Sequence, residues 1–286
     1  MTYVALVTGA SSGIGEAIAR RLAREPDVQL VLVARREERL RALAASLGGD
    51  CEPTVIAADL TFPAALQNVA ETVEREHGAL HLLVNNAGAR WTGDFAEGGW
   101  AVVERHMRIN FEAPVRLVEA LLPLMRRTAA AADWRFGSSA EGGQRSFAGR
   151  PLKAPVAIVN VTSTAARIAR RGTGGYSAAK FALSGWTDSL RLEERRHGIH
   201  VGNVLPGFIA TEGFPQTELR ANWRTRWAVS EVGVVAEAIL EAGPGGAAER
   251  YVPRYYWLGA LLRLLAPGVI RRGASSDAVA TSTNSV

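Results

Sequence analysis

The stretch Tyr3–Gly15, with the sequence YVALVTGASSGIG, decides the fold class of this chain. Tyr3–Thr8 is an unbroken run of apolar and β-branched residues, as expected for a strand that is buried on both faces. Gly9–Gly15 then forms a glycine-rich turn, and a helical pattern begins at Gly13. This order is typical of a dinucleotide-binding unit, because glycines let the backbone approach a pyrophosphate at the start of a helix. The turn residues expected to contact the cofactor are Gly9, Ser11, Ser12, Gly13, Ile14 and Gly15.

Apolar runs continue to alternate with helical patterns after this unit. Near-continuous apolar strands between helices indicate a parallel sheet with helices on both faces. The sequence therefore predicts an α/β fold with a Rossmann-like, doubly wound sheet, in a single domain that spans residues 1–272. The further predicted strands are Val28–Ala34, Thr54–Ala58, Leu80–Asn85, Val156–Thr162 and His200–Leu205.

Two segments interrupt this alternation. Thr128–Lys153 is rich in Ala, Gly, Ser and Arg, and its composition predicts a long surface loop. Gly273–Val286 contains almost no large apolar residue, which predicts a disordered tail.

The charge of the chain is basic, with a net charge of +5 and a pI near 9.9. Lys153 and Lys180 are the only lysines, so arginine supplies nearly all of the positive charge. The basic residues are spread along the chain, without a basic-aromatic stripe or a DNA-binding helix pair. A coding bias toward arginine therefore explains the charge better than a nucleic-acid partner does.

Cysteine and histidine usage argues against a disulfide or a metal site. Cys51 is the only cysteine, which excludes an intramolecular disulfide and a cysteine metal cluster. His77 and His81 are four residues apart, but Gly78 should end the helix between them, so no metal is expected. The first residues do not resemble a signal peptide, and no uncharged apolar run reaches the roughly 20 residues that a bilayer requires. These features predict a cytoplasmic protein.

The end of the second predicted strand indicates which dinucleotide is bound. An NAD site usually carries an acidic residue about 20 residues past the glycines, where it holds the ribose 2′-hydroxyl. Here that position is occupied by Arg35, followed by Arg36. A guanidinium pair can bind a 2′-phosphate, so the sequence favours NADP(H) over NAD. The alternative is that both arginines belong to the solvated first turn of a helix.

The glycine turn also matches a second pattern, the nucleophile elbow of serine hydrolases. Residues 9–13 read GASSG in a strand-turn-helix context, which would make Ser11 a nucleophile. Such an enzyme needs an acid and a histidine downstream, and none of the five histidines lies in a recognisable hydrolase motif. A serine hydrolase therefore stays a remote alternative.

A tyrosine and a lysine stand four apart in a predicted helix that runs to about Arg196. Tyr176 and Lys180 should share one face of this helix. A neighbouring ammonium favours the phenolate and lowers the tyrosine pKa, which suits proton transfer near neutral pH. Ser163 lies at the carboxyl end of Val156–Thr162, where parallel sheets bind ligands. An exposed pair on an amphipathic helix is the plainer explanation of Tyr176 and Lys180 taken alone.

With these segments in order, residues 1–250 or so resemble the short-chain dehydrogenase/reductase family. Besides the glycine turn, Ser163, Tyr176 and Lys180, the resemblance rests on segments that match the family's adenine contact, its Asn-Asn-Ala-Gly segment, its active-site asparagine and its loop over the nicotinamide. Those matching residues are Asp59 with Leu60, Asn86 with Ala87 and Gly88, Asn110, and Pro206, Gly207, Ile209 and Thr211.

The resemblance implies a mechanism. Ser163 would bind the substrate oxygen, Tyr176 would transfer its proton, Lys180 would lower the tyrosine pKa and hold the nicotinamide ribose, and Asn110 would support a proton-relay water. The predicted activity is NADP(H)-dependent interconversion of a carbonyl and a secondary alcohol. A non-catalytic NADP(H) sensor or assembly module is the alternative from another class.

The region 208–270 is expected to cover the substrate. Phe214, Trp223 and Trp227 suggest an apolar pocket and hence a hydrophobic substrate, although they could equally pack the cover against the domain. Tyr255–Leu265 reads as a short apolar helix flanked by arginines, so residues 254–272 could contact a membrane surface, close the pocket or bind another subunit. The resemblance implies a homodimer or a homotetramer.

Overall fold

The computed structural model describes residues 2–25, 27–48, 52–132, 146–147, 150–211 and 229–269. The predicted α/β class is confirmed: seven parallel strands form one sheet, and helices cover both faces. Its strands are β1 (Tyr3–Thr8), β2 (Val28–Ala34), β3 (Thr54–Ala57), β4 (Leu82–Asn85), β7 (Ala157–Val161), β8 (His200–Pro206) and β11 (Glu249–Val252). Two-residue strands form two small separate ladders, β5 (Ser146–Phe147) with β6 (Arg150–Pro151) and β9 (Phe208–Ile209) with β10 (Val229–Ser230).

The helices are connected to these strands in the alternating order that the sequence predicts. They are α1 (Gly13–Leu22), α2 (Glu37–Leu47), α3 (Pro63–His77), α4 (Phe95–Met107), α5 (Ala113–Ala131), α6 (Gly174–Glu194), α7 (Val232–Ala242) and α8 (Tyr256–Leu265). A π-helical turn, Arg108–Glu112, joins α4 to α5, and short 3-10 turns lie at Thr164–Ala166 and Arg195–His197.

The strand order explains where a ligand can bind. The order is β11-β8-β7-β4-β1-β2-β3, so the chain winds outward from β1 in one direction and then from β4 in the other. The crossover reverses between β1 and β4, and a crevice opens there at the carboxyl ends of the strands. The residues after β1, β4, β7 and β8 therefore meet at one edge of the sheet.

Alternating residues of each buried strand enter two cores, one on each face of the sheet. In β1, Ala5 and Val7 pack with α1 and α7, whereas Val4 and Leu6 pack with α3, α5 and α6. This alternation follows from the two-residue period of a strand. Both faces of the sheet are therefore covered, and the carboxyl ends of its strands lie at one edge of a packed core.

The predicted loop Thr128–Lys153 is wrong at its first end. Helix α5 continues to Ala131, because its alanines are strong helix formers and the Thr128 hydroxyl is buried, donating to the Leu124 carbonyl at 2.9 Å. At the other end, the Lys153 amide donates to the Pro244 carbonyl at 2.9 Å. The middle of this segment, the predicted tail 273–286, and Phe214, Trp223 and Trp227 lie outside the described residues. Across the described ranges, no helix has both the length and the apolar character required to cross a membrane.

Candidate active site

The glycine turn after β1 is packed too closely to admit side chains. Gly9 and Gly13 have φ angles of +67° and +58°, a region that glycine occupies without strain. A Cβ on Gly15 would overlap the carbonyl of Gly9, and a Cβ on Gly9 would lie 2.9 Å from the Asn86 amide nitrogen. The turn therefore brings bare backbone to the start of α1, as a bound pyrophosphate requires.

Thr8 fixes this turn against the end of β4. Its hydroxyl accepts hydrogen bonds from the Asn86 and Ala87 amides at 2.9 and 3.0 Å, and donates to the Val84 carbonyl at 3.2 Å. The Asn86 side chain donates to the Thr8 carbonyl at 2.9 Å. The sequence places Thr8 at the junction of the first strand and the cofactor turn, but the bonds of its hydroxyl to Asn86 and Ala87 are visible only in the folded chain.

The two predicted phosphate-binding arginines occupy different positions. The Arg36 guanidinium donates to the Ser12 hydroxyl at 2.8 Å and to the Ser11 hydroxyl at 3.1 Å. The Ser12 side chain makes no capping bond to α1, so the first amides of the helix remain directed at the turn. Arg35 is exposed at the end of β2. Positive charge thus lies directly beside the glycine turn, and it comes from Arg36.

The remaining predicted cofactor residues line the same edge of the sheet. Asp59 follows β3, and its carboxylate accepts bonds from the amide and hydroxyl of Thr61 at 3.0 and 2.8 Å. Leu60 beside it is buried. Gly88 lies against the active-site groups, because a Cβ there would be 2.7 Å from the Asn110 amide oxygen and 3.6 Å from the Lys180 ammonium.

The loop after β8 returns to the glycine turn. The Gly207 amide donates to the Val252 carbonyl at 2.8 Å, and a Cβ on Gly207 would overlap the Tyr256 ring at the start of α8. Ile209 is buried, and Thr211 packs on the turn, its methyl carbon 3.2 Å from where a Cβ on Gly13 would stand. The segment that begins at Pro206 therefore lies over the site.

Asn110 is fully buried in the π-helical turn before α5. Its side-chain nitrogen donates to the Ala89 and His106 carbonyls at 2.8 and 3.2 Å, and its oxygen accepts from the Ala89 amide at 3.3 Å. Such turns frequently occur at functional sites. Here the asparagine fixes the backbone of the loop after β4.

Ser163, Tyr176 and Lys180 come together beside this loop. The Ser163 hydroxyl acts electrostatically on the Tyr176 phenol, accepts from the Ala165 amide at 3.1 Å and donates to the Pro206 carbonyl at 3.4 Å. The Lys180 ammonium is 5.9 Å from the centre of the Tyr176 ring and donates to the Val161 carbonyl at 2.9 Å. The structure thus brings these three residues together at the carboxyl edge of the sheet.

Burial sets the pKa values of the tyrosine and the lysine. It raises the pKa of the Tyr176 phenol, while the Ser163 hydroxyl and the charge of Arg90 act to lower it. Burial also lowers the pKa of Lys180 to about 8. In this structure Ser163 and Arg90 are the groups that favour the phenolate, while the Lys180 ammonium lies 5.9 Å from the centre of the phenol ring.

His106 supports the tyrosine and was missed by sequence reasoning. Its ring is buried on α4, donates from Nδ1 to the Val102 carbonyl at 2.8 Å and accepts at Nε2 from the Trp91 amide at 3.0 Å. The ring also meets that of Tyr176 edge-on, with centroids 6.1 Å apart. Burial lowers the histidine pKa, so the neutral ring joins the loop after β4 to the start of α6. Only the tertiary fold reveals this contact, since no local spacing relates the two residues.

The histidines also bear on the hydrolase alternative. The Ser11 hydroxyl accepts hydrogen bonds from Arg36, whereas every histidine of the chain bonds a different group. Those histidines are His77 with Thr54, His81 with Val4, His106 with Trp91, His197 with Arg196, and His200 with Ala247. Ser11 is therefore without a histidine base. Within the described ranges, no three potential metal ligands cluster.

Comparisons with known proteins agree with this geometry. The short chain dehydrogenase family model matches residues 3–142 and 153–221. A putative ketoacyl reductase 1 of granaticin polyketide synthase from Streptomyces violaceoruber is 34% identical over 235 residues, 80% of this chain and 75% of that protein. The dehydrogenase/reductase SDR family member 7B of Bos taurus is 30% identical over 215 residues, 73% of this chain but 58% of that protein, so this chain matches less than two thirds of its length.

A solved structure shows the same fold. An alcohol dehydrogenase from the archaeon Thermococcus sibiricus, complexed with 5-hydroxy-NADP, superposes with a TM-score of 0.69 over 88% of this chain and 96% of that one, at 22% identity. The family match covers most of the described sheet and the segments that carry Ser163, Tyr176 and Lys180. The chain belongs to the short-chain dehydrogenase family of oxidoreductases.

Proposed function

We propose that this protein is an NADP(H)-dependent oxidoreductase that interconverts a carbonyl and a secondary alcohol, with Tyr176 as the general acid and base. The observation that supports the proposal is the grouping of Ser163, the Tyr176 phenol and the buried Lys180, whose ammonium lies 5.9 Å from the centre of the Tyr176 ring. A sensor would need the turn but not a buried phenol held between a hydroxyl and an ammonium.

Each side chain has a part in the proposed reaction. In reduction, Ser163 donates a hydrogen bond to the carbonyl oxygen of the substrate, and Tyr176 gives that oxygen its proton. In oxidation, the phenolate removes the proton from the hydroxyl. After reduction, Lys180 and a water held near Asn110 would return a proton from solvent to the phenolate, and after oxidation the same path would release the proton. When bound, the nicotinamide supplies or accepts the hydride, and the residues contribute position and electrostatics.

The proposed cofactor is NADP(H) because of Arg36. This guanidinium already contacts both serines of the glycine turn at the end of β2, the place where the ribose 2′-substituent is recognised in this kind of fold. A planar guanidinium can bind a phosphate through two parallel hydrogen bonds. The ribose of NAD carries no 2′-phosphate and cannot form this contact. Arg35, one residue earlier, would add charge from the solvent side.

Apolar groups around the site support a hydrophobic substrate body. Phe208 is half-buried directly after Gly207, and the Tyr256 ring packs on that glycine. Helix α8 thereby lies on the loop that follows β8. We propose that this helix forms one wall of the substrate pocket.

The decisive experiment is Tyr176→Phe. We expect this variant to bind NADPH like the wild type and to lose carbonyl reduction by about a thousandfold, because only the proton-transfer atom is removed. NADPH fluorescence titration and NADPH oxidation with a panel of ketones measure the two properties. Tyr255→Phe, which removes an exposed phenol from the residue before α8, is the matched control and should keep its turnover. Full turnover by Tyr176→Phe would refute the mechanism, and NADPH binding without turnover by the wild type would support the sensor.

A second experiment tests the cofactor. Thermal shifts with NADP and with NAD should show stronger stabilisation by NADP, and Arg36→Leu should reduce this preference by about tenfold to a hundredfold. Arg35→Leu should reduce it less, because Arg35 does not contact the turn serines. Equal stabilisation by both dinucleotides would argue against a preference for NADP.

A further inference from the structure

Two loops face each other at the mouth of the site. The first, residues 86–94, follows β4, and the second, residues 163–173, lies between β7 and α6. The Gly93 amide donates to the Gly172 carbonyl at 3.1 Å, which joins the loops away from the sheet. Arg90 of the first loop and Arg170 of the second act on each other electrostatically, and the charge of Arg90 also acts on the Tyr176 phenol.

Arg170 is held in place within this mouth. The Thr173 hydroxyl accepts from the Arg170 amide at 3.3 Å and donates to the Arg170 carbonyl at 2.8 Å, which fixes the backbone of Arg170 just before α6 begins at Gly174. Its guanidinium carbon lies 4.4 Å above the centre of the Phe208 ring. The side chain therefore reaches across from the loop after β7 to the segment after β8, where the Pro206 carbonyl accepts a hydrogen bond from Ser163 at 3.4 Å.

The charge of Arg170 is not balanced by a carboxylate among the described residues. Its neighbours on the same loop are balanced, since Arg167 pairs with Glu249 at 2.5 Å and Arg171 pairs with Asp94 at 3.0 Å. Burial and the like charge of Arg90 lower the pKa of Arg170, while the phenol of Tyr256 acts in the opposite direction. A partly desolvated cation is costly to hold without an anion nearby.

Arg90 brings a second positive charge to the same place. It acts on the Tyr176 phenol as well as on Arg170, lowering the pKa of each. An anionic group that bound beside Arg170 would be attracted by both positive charges.

We propose that Arg170, assisted by Arg90, binds a carboxylate on the substrate, so that this enzyme prefers an oxo or hydroxy acid to the corresponding neutral ester. The inference rests on the proposed function and refines its substrate class. The Phe208 ring supports the flat guanidinium from one side and offers an apolar surface to the carbon chain of the substrate. A carboxylate suits a guanidinium because its two oxygens accept two parallel hydrogen bonds.

Matched substrates test the preference directly. We expect the wild type to reduce 3-oxo acids with a kcat/KM about tenfold to a hundredfold above that for their methyl esters, the range expected for a charged hydrogen-bonded pair. Arg170→Gln should bring this ratio close to 1, mainly by raising KM for the acid, and Arg170→Lys should restore part of it. Arg171→Gln is the matched control, because this neighbouring arginine is exposed and already paired with Asp94.

A binding experiment separates this inference from the proposed function. At constant ionic strength, butyrate should raise the melting temperature of the NADPH-loaded wild type more than butyramide does, and Arg170→Gln should lose that difference. If ester and acid are reduced equally and butyrate acts like butyramide, the carboxylate site is refuted while the oxidoreductase stands. Suppose instead that no carbonyl compound is reduced, but butyrate still raises the melting temperature more than butyramide does and Arg170→Gln loses this difference. The anion site then stands and the proposed activity fails.

Discussion

The glycine turn and helix α8 lie at the same edge of the sheet, yet they are built in opposite ways. In the turn, one added carbon on Gly15 would overlap the Gly9 carbonyl. In α8, no residue is buried, and the side chains of Leu264 and Leu265 are 79% and 75% exposed. The turn is defined by its own backbone, whereas α8 is held by a few side-chain contacts. We infer that the cofactor side of the site tolerates almost no change and that the substrate side is free to vary.

Gly15→Ala should show the rigidity of the turn most strongly. The methyl group cannot be accommodated by a side-chain movement, because the atoms it meets belong to the Gly9 carbonyl. We expect NADPH affinity to fall by at least about a hundredfold, as measured by fluorescence titration, since the amides that meet the pyrophosphate must shift.

The same substitution in an unconstrained helix provides the control. Gly185 lies in α6 with open space where its Cβ would be, so Gly185→Ala should bind NADPH normally and gain up to about 1 kcal/mol in free energy of unfolding. Normal NADPH affinity in Gly15→Ala would break the comparison, because the turn would then be as adaptable as α8.

Thr8→Val tests the hydroxyl that fixes the turn to β4. The substitution keeps the shape but leaves the Asn86 and Ala87 amides without their shared acceptor. We expect the free energy of unfolding to fall by about 3 kcal/mol, as measured by urea denaturation. Thr54→Val, at the edge strand β3, should cost less than about 1 kcal/mol. Equal losses in both variants would mean that the turn needs no such support.

The same contrast explains what sequence could predict. Tyr3–Thr8 and Val28–Ala34 were predicted with both ends correct, because a strand buried on both faces reads as an unbroken apolar run. The predicted strand Leu80–Asn85 begins two residues early, since Leu80 is buried in the core without joining the sheet. The sequence places the end of α5 too early, because an alanine-rich composition is compatible with a loop as well as with a helix.

At the site, the predictable residues are those whose relation is local in the chain. Tyr176 and Lys180 share a helix face through their spacing. The roles of His106, Arg90 and Arg170 arise from three segments that meet only in the folded chain. Arg35 and Arg36 could not be distinguished from the sequence, because which one faces Ser11 depends on how β2 turns into α2.

Lys180→Met tests whether the buried ammonium of Lys180 lowers the free energy of unfolding. Burial lowers the pKa of Lys180 from its usual 10.5 to about 8, so folding opposes its charge at neutral pH. Methionine should raise the free energy of unfolding at pH 7 by about 2 kcal/mol, after the lost bond to Val161 is taken into account. As pH rises from 8 to 10.5, the folded wild type sheds this proton before the unfolded chain does, so the wild type gains stability and the advantage of the variant shrinks. Urea denaturation across this pH range measures the difference, and an advantage that is constant with pH would contradict the assignment.

Leu264→Ser with Leu265→Ser tests the other side of the comparison and should have the smallest effect. Tyr256 packs on Gly207, Gly259 faces Ile168, and Arg263 lies over the Phe181 ring, so the inner contacts of α8 do not involve the two leucines. In a single chain the double variant should change the free energy of unfolding by less than about 0.5 kcal/mol and leave NADPH binding intact. A larger loss that depends on protein concentration would mean that a second copy covers this face, and retained stability with lost binding to anionic liposomes would mean that lipid does. Either result would show that α8 is stabilised by a partner outside the chain, whereas the glycine turn is stabilised by contacts within it.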